Sequence, residues 1–359
     1  MKFLLIVGAR PNFMKIAPIM RAIAKQAPDA QQTLVHTGQH FDERMSDVFF
    51  RDLGLPKPDE HLGVSGGSHA SQTARIMLGF EPVLDRHRPD WLVVVGDVNS
   101  TLACALVASK SGVKIAHVEA GLRSRDNTMP EEINRKVTDA VSDLLLTPSP
   151  DADANLTAEG VPLERIARVG NVMIDSLIRA LPKIEATEYY RSLGLTDQSY
   201  VLATLHRPSN VDDPAMLSEL VSALNEIASR TPVVFPVHPR TRARLESEQV
   251  PINEGIRLID PLGYFDFMSL MRSAKIVITD SGGVQEETTY LGVSCLTVRP
   301  NTERPITIEE GTNRLVRPGK GTLLAAYSDV EAHPPLKQCP TLWDGKAAER
   351  IAEVLLATK

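Results

Sequence analysis

The chain has 359 residues, 43% of them hydrophobic and 23% charged, which is enough to bury two full cores. Its formal net charge of −6 argues against a nucleic-acid backbone as the main partner. Three scattered cysteines (Cys104, Cys295, Cys339) suit neither a disulfide scaffold nor a zinc site, and no apolar run approaches the roughly 18 residues of a membrane span, so a cytoplasmic protein with no membrane partner is expected.

Residues 3–7 form a short apolar run that reads as a first strand and not as a signal peptide. Gly8-Ala9-Arg10-Pro11 and a helix over 13–25 follow, Pro11 suiting a helix start that needs no N–H there. Arg10 and Lys15 then lie at the mouth of this strand–helix unit, as a diphosphate clamp or as two solvated charges. No Gly-x-Gly-x-x-Gly follows the strand, which leaves a dinucleotide cofactor unsupported. Strand 33–36 ends at Thr37-Gly38-Gln39-His40; His36 and His40 flank a strand end and make no metal pair. Helix 68–87 leads to strand 91–95, Gly96-Asp97 and helix 101–109. Asp97 stands at a carboxyl strand end, where open α/β sheets place ligands, or else caps a helix. Strand 115–118 ends in Glu119-Ala120-Gly121-Leu122-Arg123, a second carboxylate so placed. Pro130-Glu131-Glu132 opens a helix. Acids in that turn suit the helix dipole, and Glu132 has an ion-pair partner one turn on in Lys136. After strand 144–147, Asp151 and Asp153 open a helix behind two prolines, a capping pattern and not a metal site. A polar stretch near 185–198 reads as a linker.

The strand–helix alternation then restarts. Strand 200–205 ends at His206-Arg207, helix 214–229 follows, and strand 233–237 ends at His238-Pro239-Arg240. Strand 256–259 and helix 265–273 precede strand 275–278. Thr279-Asp280-Ser281-Gly282-Gly283 then turns into a helix over 284–291. Glycines there let the backbone approach a ligand, and free N–H groups with the positive helix end favour an anion such as phosphate. Glu287, one turn in, suits vicinal hydroxyls such as those of a ribose. An ordinary strand-to-helix turn with acidic residues is the alternative. Strand 294–298 and a terminal amphipathic helix over 342–356 complete an α/β chain of two doubly wound sheets facing a cleft.

On these motifs the chain resembles the non-hydrolysing UDP-N-acetylglucosamine 2-epimerases. Gly8 to Pro11, Gly96-Asp97, His117 to Arg123 and Pro130 to Glu132 carry the match in the first half. His206-Arg207, Thr279 to Glu287 and Thr302-Glu303-Arg304-Pro305 carry it in the second. The resemblance implies a GT-B-like fold of two Rossmann-like domains. The first would cover 1–170, with a last helix over 342–359 packing back on it; the second, UDP-binding domain would cover 171–341. It also implies a homodimer acting on a UDP-sugar, with no NAD and no obligatory metal. The implied chemistry inverts C2 by eliminating UDP and adding it back through a 2-acetamidoglucal. Asp97, Glu119 and Glu131 match the catalytic carboxylates and His206 the active-site histidine. Arg10 and Lys15 match substrate-contacting cations, Ser281, Gly282 and Gly283 the diphosphate turn, and Glu287 the ribose acid. Phe267 matches an aromatic near uracil and Arg304 another UDP contact.

Two places depart from the family pattern. Leu262 stands where many members carry a glutamine near the uracil. The run Gln39 to Ser46 differs from the subgroup activated by its own substrate, so hyperbolic kinetics are expected. Alternatives are a 2-epimerase for a modified sugar such as UDP-2,3-diacetamido-2,3-dideoxyglucuronate, a GT-B glycosyltransferase, and a non-catalytic sugar-nucleotide-binding protein.

Overall fold

In both of the chain's sheets the strand order reverses once, and that reversal decides where a ligand can sit. The structure, a computed structural model, describes residues 1–38 and 57–358. By internal contacts the chain divides into one unit of residues 1–178 and 341–359 and another of residues 179–340.

Among the described residues the first unit holds seven parallel strands: β1 (Lys2–Val7), β2 (Gln31–His36), β3 (Glu60–His61), β4 (Trp91–Val95), β5 (Lys114–Val118), β6 (Leu144–Thr147) and β7 (Ile166–Arg168). Their spatial order is β3-β2-β1-β4-β5-β6-β7. β1 pairs in parallel with β2 on one side, Leu5 opposite Leu34, and with β4 on the other, Leu5 opposite Val93. Strand residues alternate between the two faces. Phe3, Leu5 and Val7 join Ile16, Ile19 and Ile23 of helix Arg10–Gln26 in one core, and Leu4 and Ile6 join Ile76 and Phe80 of helix His69–His87 in the other. Both faces are apolar because both carry helices, as parallel sheets require.

The second unit repeats the plan with β8 (Val201–Thr204), β9 (Val233–Pro236), β10 (Ile256–Ile259), β11 (Ile276–Thr279), β12 (Ser294–Val298) and β13 (Asn313–Val316), in the order β10-β9-β8-β11-β12-β13. All pairings are parallel, Val277 lying between Leu202 and Cys295. The order reverses between β1 and β4 in one sheet and between β8 and β11 in the other. In open α/β sheets ligands bind at the carboxyl ends of the strands flanking such a switch.

The structure departs from the expected elements in three places. Helix Val172–Thr187 and the short helix Tyr189–Ser192 occupy much of the stretch read as a linker. Helices Pro239–Ser247 and Lys320–Ala332 and strand β13 are further elements that sequence pattern did not single out. The terminal helix starts only at Ala347, because Leu342 and Gly345 take left-handed backbone (φ 67° and 79°) that no helix continues. Its first N–H groups are capped from afar, Ala347 and Ala348 donating to the Asp175 carboxylate at 3.2 and 2.7 Å. Ala348, Ile351, Ala352 and Leu355 then enter the same core as Ile16 and Ile19.

Candidate active site

In the first unit the site elements are the turns that follow β1, β4 and β5. Gly8 ends β1 where a Cβ would stand 2.1 Å from Ser100 Oγ, so only glycine fits. Asn12, in the first turn of helix Arg10–Gln26, accepts from the Gly8 and Ala9 N–H groups at 3.2 and 3.0 Å and donates to the Val95 carbonyl at 3.0 Å. It thereby ties the β1 turn to the end of β4. Arg10 is the first residue of that helix. Lys15, one turn on, is buried and ion-paired through Nζ to Glu119 Oε2. The pair lies over the Gly96 backbone, where a Cβ would be 3.0 Å from Lys15 Nζ and 3.3 Å from Glu119 Oε2.

Glu119 itself has φ +70°. A left-handed non-glycine backbone costs about 1–3 kcal/mol, and such residues cluster at functional sites. Asp97 follows Gly96 at the end of β4 and takes an ion pair from Arg135 Nη1, while its carbonyl accepts from Asn134 Nδ2 at 2.8 Å. Arg135 also holds the fully buried Glu132 at 3.0 Å. Burial pushes the Glu132 carboxyl up. Hydrogen bonds from the Ser124 N–H and from Arg135 outweigh that and leave it below the usual glutamate value. Glu131, beside it, is partly exposed in the first turn of helix Pro130–Val141, and its side chain makes no hydrogen bond or ion pair among the described residues.

In the second unit the matching turns follow β8 and β11. Asp280, fully buried after β11, gathers the β8 turn around itself. Its carboxylate accepts from the His206 N–H at 3.0 Å, the Arg207 N–H at 2.9 Å and Asn210 Nδ2 at 3.1 Å, and meets His206 Nδ1 at 2.9 Å. Burial raises the Asp280 pKa, but the His206 side chain and these N–H groups together bring it below the ordinary value. The His206 ring is thus oriented through Nδ1 while half of its side chain stays exposed.

Ser281 then precedes helix Gly282–Leu291 with no side-chain cap. The first N–H groups of such a helix lack intrahelical partners. A Cβ on Gly282 would stand 2.7 Å from Glu303 Oε1 and 2.9 Å from Arg304 Nη1, whereas one on Gly283 would meet, among the described residues, no atom within 4 Å beyond its own helix turn. Arg304 is fixed by Glu286 at 2.9 Å and by Glu303, which also meets Arg299 at 2.9 Å. Glu287 is buried on the same helix, and Phe267 is half-buried on helix Tyr264–Arg272.

The structure therefore gathers Lys15, Asp97 and Glu119 at one switch point, and His206, Ser281, Gly282 and Gly283 at the other, with Arg304 against Gly282. Among the described residues it leaves the Glu131 side chain without a polar partner. Lys15 is not the solvated charge that was one reading of it, and Asp97 does not cap a helix, since Val98 holds that position without a side-chain cap. Glu132 does meet Lys136 at 3.7 Å, but its main partners are Ser124, Arg125 and Arg135. Asp153 bonds Thr147 and Arg168 in place of capping. Gln39, His40 and the run to Ser46 lie outside the described residues.

Sequence reasoning did not single out Arg135 or Asp280. Arg135 follows Glu131 by one helical turn, and Asp280 is a charge directly after an apolar strand. Those were the signals available. Among the described residues no group of three or more His, Cys, Asp or Glu could hold a metal ion, and no helix is long and apolar enough to cross a membrane.

The family model for UDP-N-acetylglucosamine 2-epimerase matches residues 22–356. The chain is 41% identical over 364 residues to the UDP-N-acetylglucosamine 2-epimerase of Methanocaldococcus jannaschii, 99% of each chain being covered. It is 42% identical over 359 residues to the UDP-2,3-diacetamido-2,3-dideoxy-D-glucuronate 2-epimerase of Pseudomonas aeruginosa, again across 99% of both. Among solved structures, that of the Methanocaldococcus jannaschii enzyme in complex with UDP-GlcNAc and UDP superposes with a TM-score of 0.90 at 40% identity, covering 99% of each chain. Two parallel sheets with once-reversed strand order agree with the full-length likeness: the chain belongs to the UDP-N-acetylglucosamine 2-epimerase family and is an isomerase of GT-B-like fold.

Proposed function

We propose that the chain interconverts UDP-N-acetylglucosamine and UDP-N-acetylmannosamine. The observation that carries this reading is the pair of carboxylates Asp97 and Glu119 at the carboxyl ends of the adjacent strands β4 and β5, each against a cation, Arg135 or Lys15. Inversion at C2 needs such a set. A base removes the C2 proton, the C1–O bond breaks with its electron pair leaving on the diphosphate, and a C1–C2 double bond forms. Re-addition of UDP to C1 with protonation of C2 from the other face gives the epimer. Asp97, Glu119 and Glu131 are the candidates for the proton steps.

The leaving diphosphate needs stabilisation. The N–H groups of the turn at Ser281, Gly282 and Gly283, the helix dipole behind them, and Arg304 supply it, with Arg10 and Lys15 as further cations. His206, held by Asp280, stabilises the departing charge or shuttles a proton. Glu287 takes the ribose hydroxyls and Phe267 packs by the uracil. The reading includes a homodimer in the cytoplasm, supplying a surface-polysaccharide pathway, and divides the chain near residue 170.

The test is NMR of the purified protein with UDP-N-acetylglucosamine in deuterated water, without acceptor. The expected result is the manno epimer carrying deuterium at C2. Slow release of UDP alone would make the chain a transferase, and no change at all would make it a binding protein. The equally high identity to a diacetamido-glucuronate 2-epimerase favours one second reading, a modified sugar. Turnover of that UDP-sugar and not of UDP-N-acetylglucosamine would establish it.

A further inference from the structure

We propose that His117 and Asp139 are a buried positioning pair that sets where Asp97, Glu119 and Arg135 stand relative to one another. His117 is fully buried on β5, and Asp139 is buried on helix Pro130–Val141. His117 Nε2 meets the Gly96 carbonyl at 2.8 Å, and Nδ1 meets Asp139 Oδ1 at 2.6 Å. The other Asp139 oxygen accepts from the Gly121 N–H at 3.1 Å and from Arg123 Nη1 at 2.7 Å. Arg123 forks onto Glu159 at 2.8 and 2.6 Å.

The contacts to Gly96 and Gly121 land on turns that carry candidate catalytic groups. Gly96 immediately precedes Asp97, and Gly121 closes the turn begun by Glu119. Gly96, Glu119 and Gly121 all take left-handed backbone, with φ of 69°, 70° and 80°, and of the three only Glu119 carries a Cβ that makes the conformation costly. The helix adds the third connection. Glu131, Arg135 and Asp139 are spaced four apart and share one helix face. Arg135 grips the Asp97 carboxylate while Asp139, one turn on, binds the Gly121 N–H directly and reaches the Gly96 carbonyl through His117. Both partners of the His117 ring, the Gly96 carbonyl and the Asp139 carboxylate, are acceptors. Burial raises the Asp139 carboxyl, and the charges of His117 and Arg123 outweigh it and keep the group ionised.

This inference rests on the proposed epimerisation. The test compares Asp139→Asn and His117→Asn with the wild-type enzyme for C2 deuterium exchange, kcat, KM and UDP affinity by calorimetry. A misplacement of about 1 Å at reacting groups can cost about 100-fold. The expected result is kcat and exchange lowered together by about 10- to 100-fold, with UDP affinity within about twofold of wild type. Folded variants with wild-type kcat would overturn the pair's role. Should a variant fail to fold, nitrogen-15 NMR of the wild-type histidines decides: two protonated ring nitrogens on His117 support the pair, and one overturns it. Wild-type protein that exchanges no C2 proton of UDP-N-acetylglucosamine would sink the substrate assignment, and the NMR result would still decide the pair.

Discussion

Lys15 and Glu119 form a buried ion pair, and removing one partner of such a pair leaves the other charge uncompensated. Lys15→Met is expected to destabilise the first unit by about 3–5 kcal/mol, read as a lowered melting temperature. The double variant Lys15→Met with Glu119→Gln should recover part of that loss, and a double variant no more stable than Lys15→Met would argue against the pairing. Glu119→Gln alone should lower kcat by about 10²–10⁴-fold, the span of general acid–base contributions, with UDP affinity unchanged in calorimetry. Glu287 belongs to the other half of the chemistry. Glu287→Ala is expected to weaken UDP binding by one to two decades, since a hydrogen bond to a charged group contributes roughly 1.5–3 kcal/mol. Unchanged UDP affinity would remove Glu287 from the ribose.

At the scale of an element, helix Gly282–Leu291 separates fold from function by one residue. A Cβ on Gly282 would meet Glu303 and Arg304, whereas one on Gly283 would meet, among the described residues, no atom within 4 Å beyond its own helix turn. Gly283→Ala should therefore leave the melting temperature unchanged or slightly raised, because alanine favours a helix over glycine by about 1 kcal/mol. Its Cβ nevertheless intrudes where a diphosphate would approach, so UDP affinity should fall by tenfold or more. Gly282→Ala should lose affinity as well, but by displacing Arg304, and with a lowered melting temperature. Equal UDP affinity for wild type and Gly283→Ala would place the anion elsewhere.

On the scale of the whole molecule, the last helix is held in the first unit by apolar burial, by the capping Asp175 carboxylate and by bonds of Glu349 to Lys25 and Gln26 and of Arg350 to the Val169 carbonyl. Burial pushes the Asp175 carboxyl up to about 6, the Ala347 and Ala348 N–H groups opposing it only in part. A carboxyl whose folded pKa exceeds its unfolded value near 4 stabilises the fold below that value, and the contribution is lost as pH rises to about 6. The shift corresponds to about 3 kcal/mol. Wild-type stability should therefore fall between pH 4 and 6 more steeply than that of Asp175→Asn, as followed by thermal unfolding at fixed salt. Parallel profiles would mean that the carboxylate pays no burial cost.

The amino-acid sequence by itself determined the fold class. Short β-branched runs separated by helix-length segments can bury both strand faces only as parallel sheets covered by helices, and β4, β6, β10 and β12 fall where the pattern alone puts them. It also determined which charges stand at strand ends, because a polar residue directly after an apolar run has nowhere else to go. Partners were decided by tertiary structure alone. Asp97 and Arg135 are brought together by the docking of a helix against a neighbouring strand end, and Asp175 caps a helix far along the chain. Local spacing suggested Lys136 for Glu132 and a cap for Asp97. Lys136 does reach Glu132 at 3.7 Å, but the fold adds Ser124, Arg125 and Arg135 to it and gives Asp97 Arg135 in place of a cap, because in a buried site a carboxylate is stabilised by the N–H groups and guanidinium that close packing presents, and a solvated neighbour one turn away offers far less.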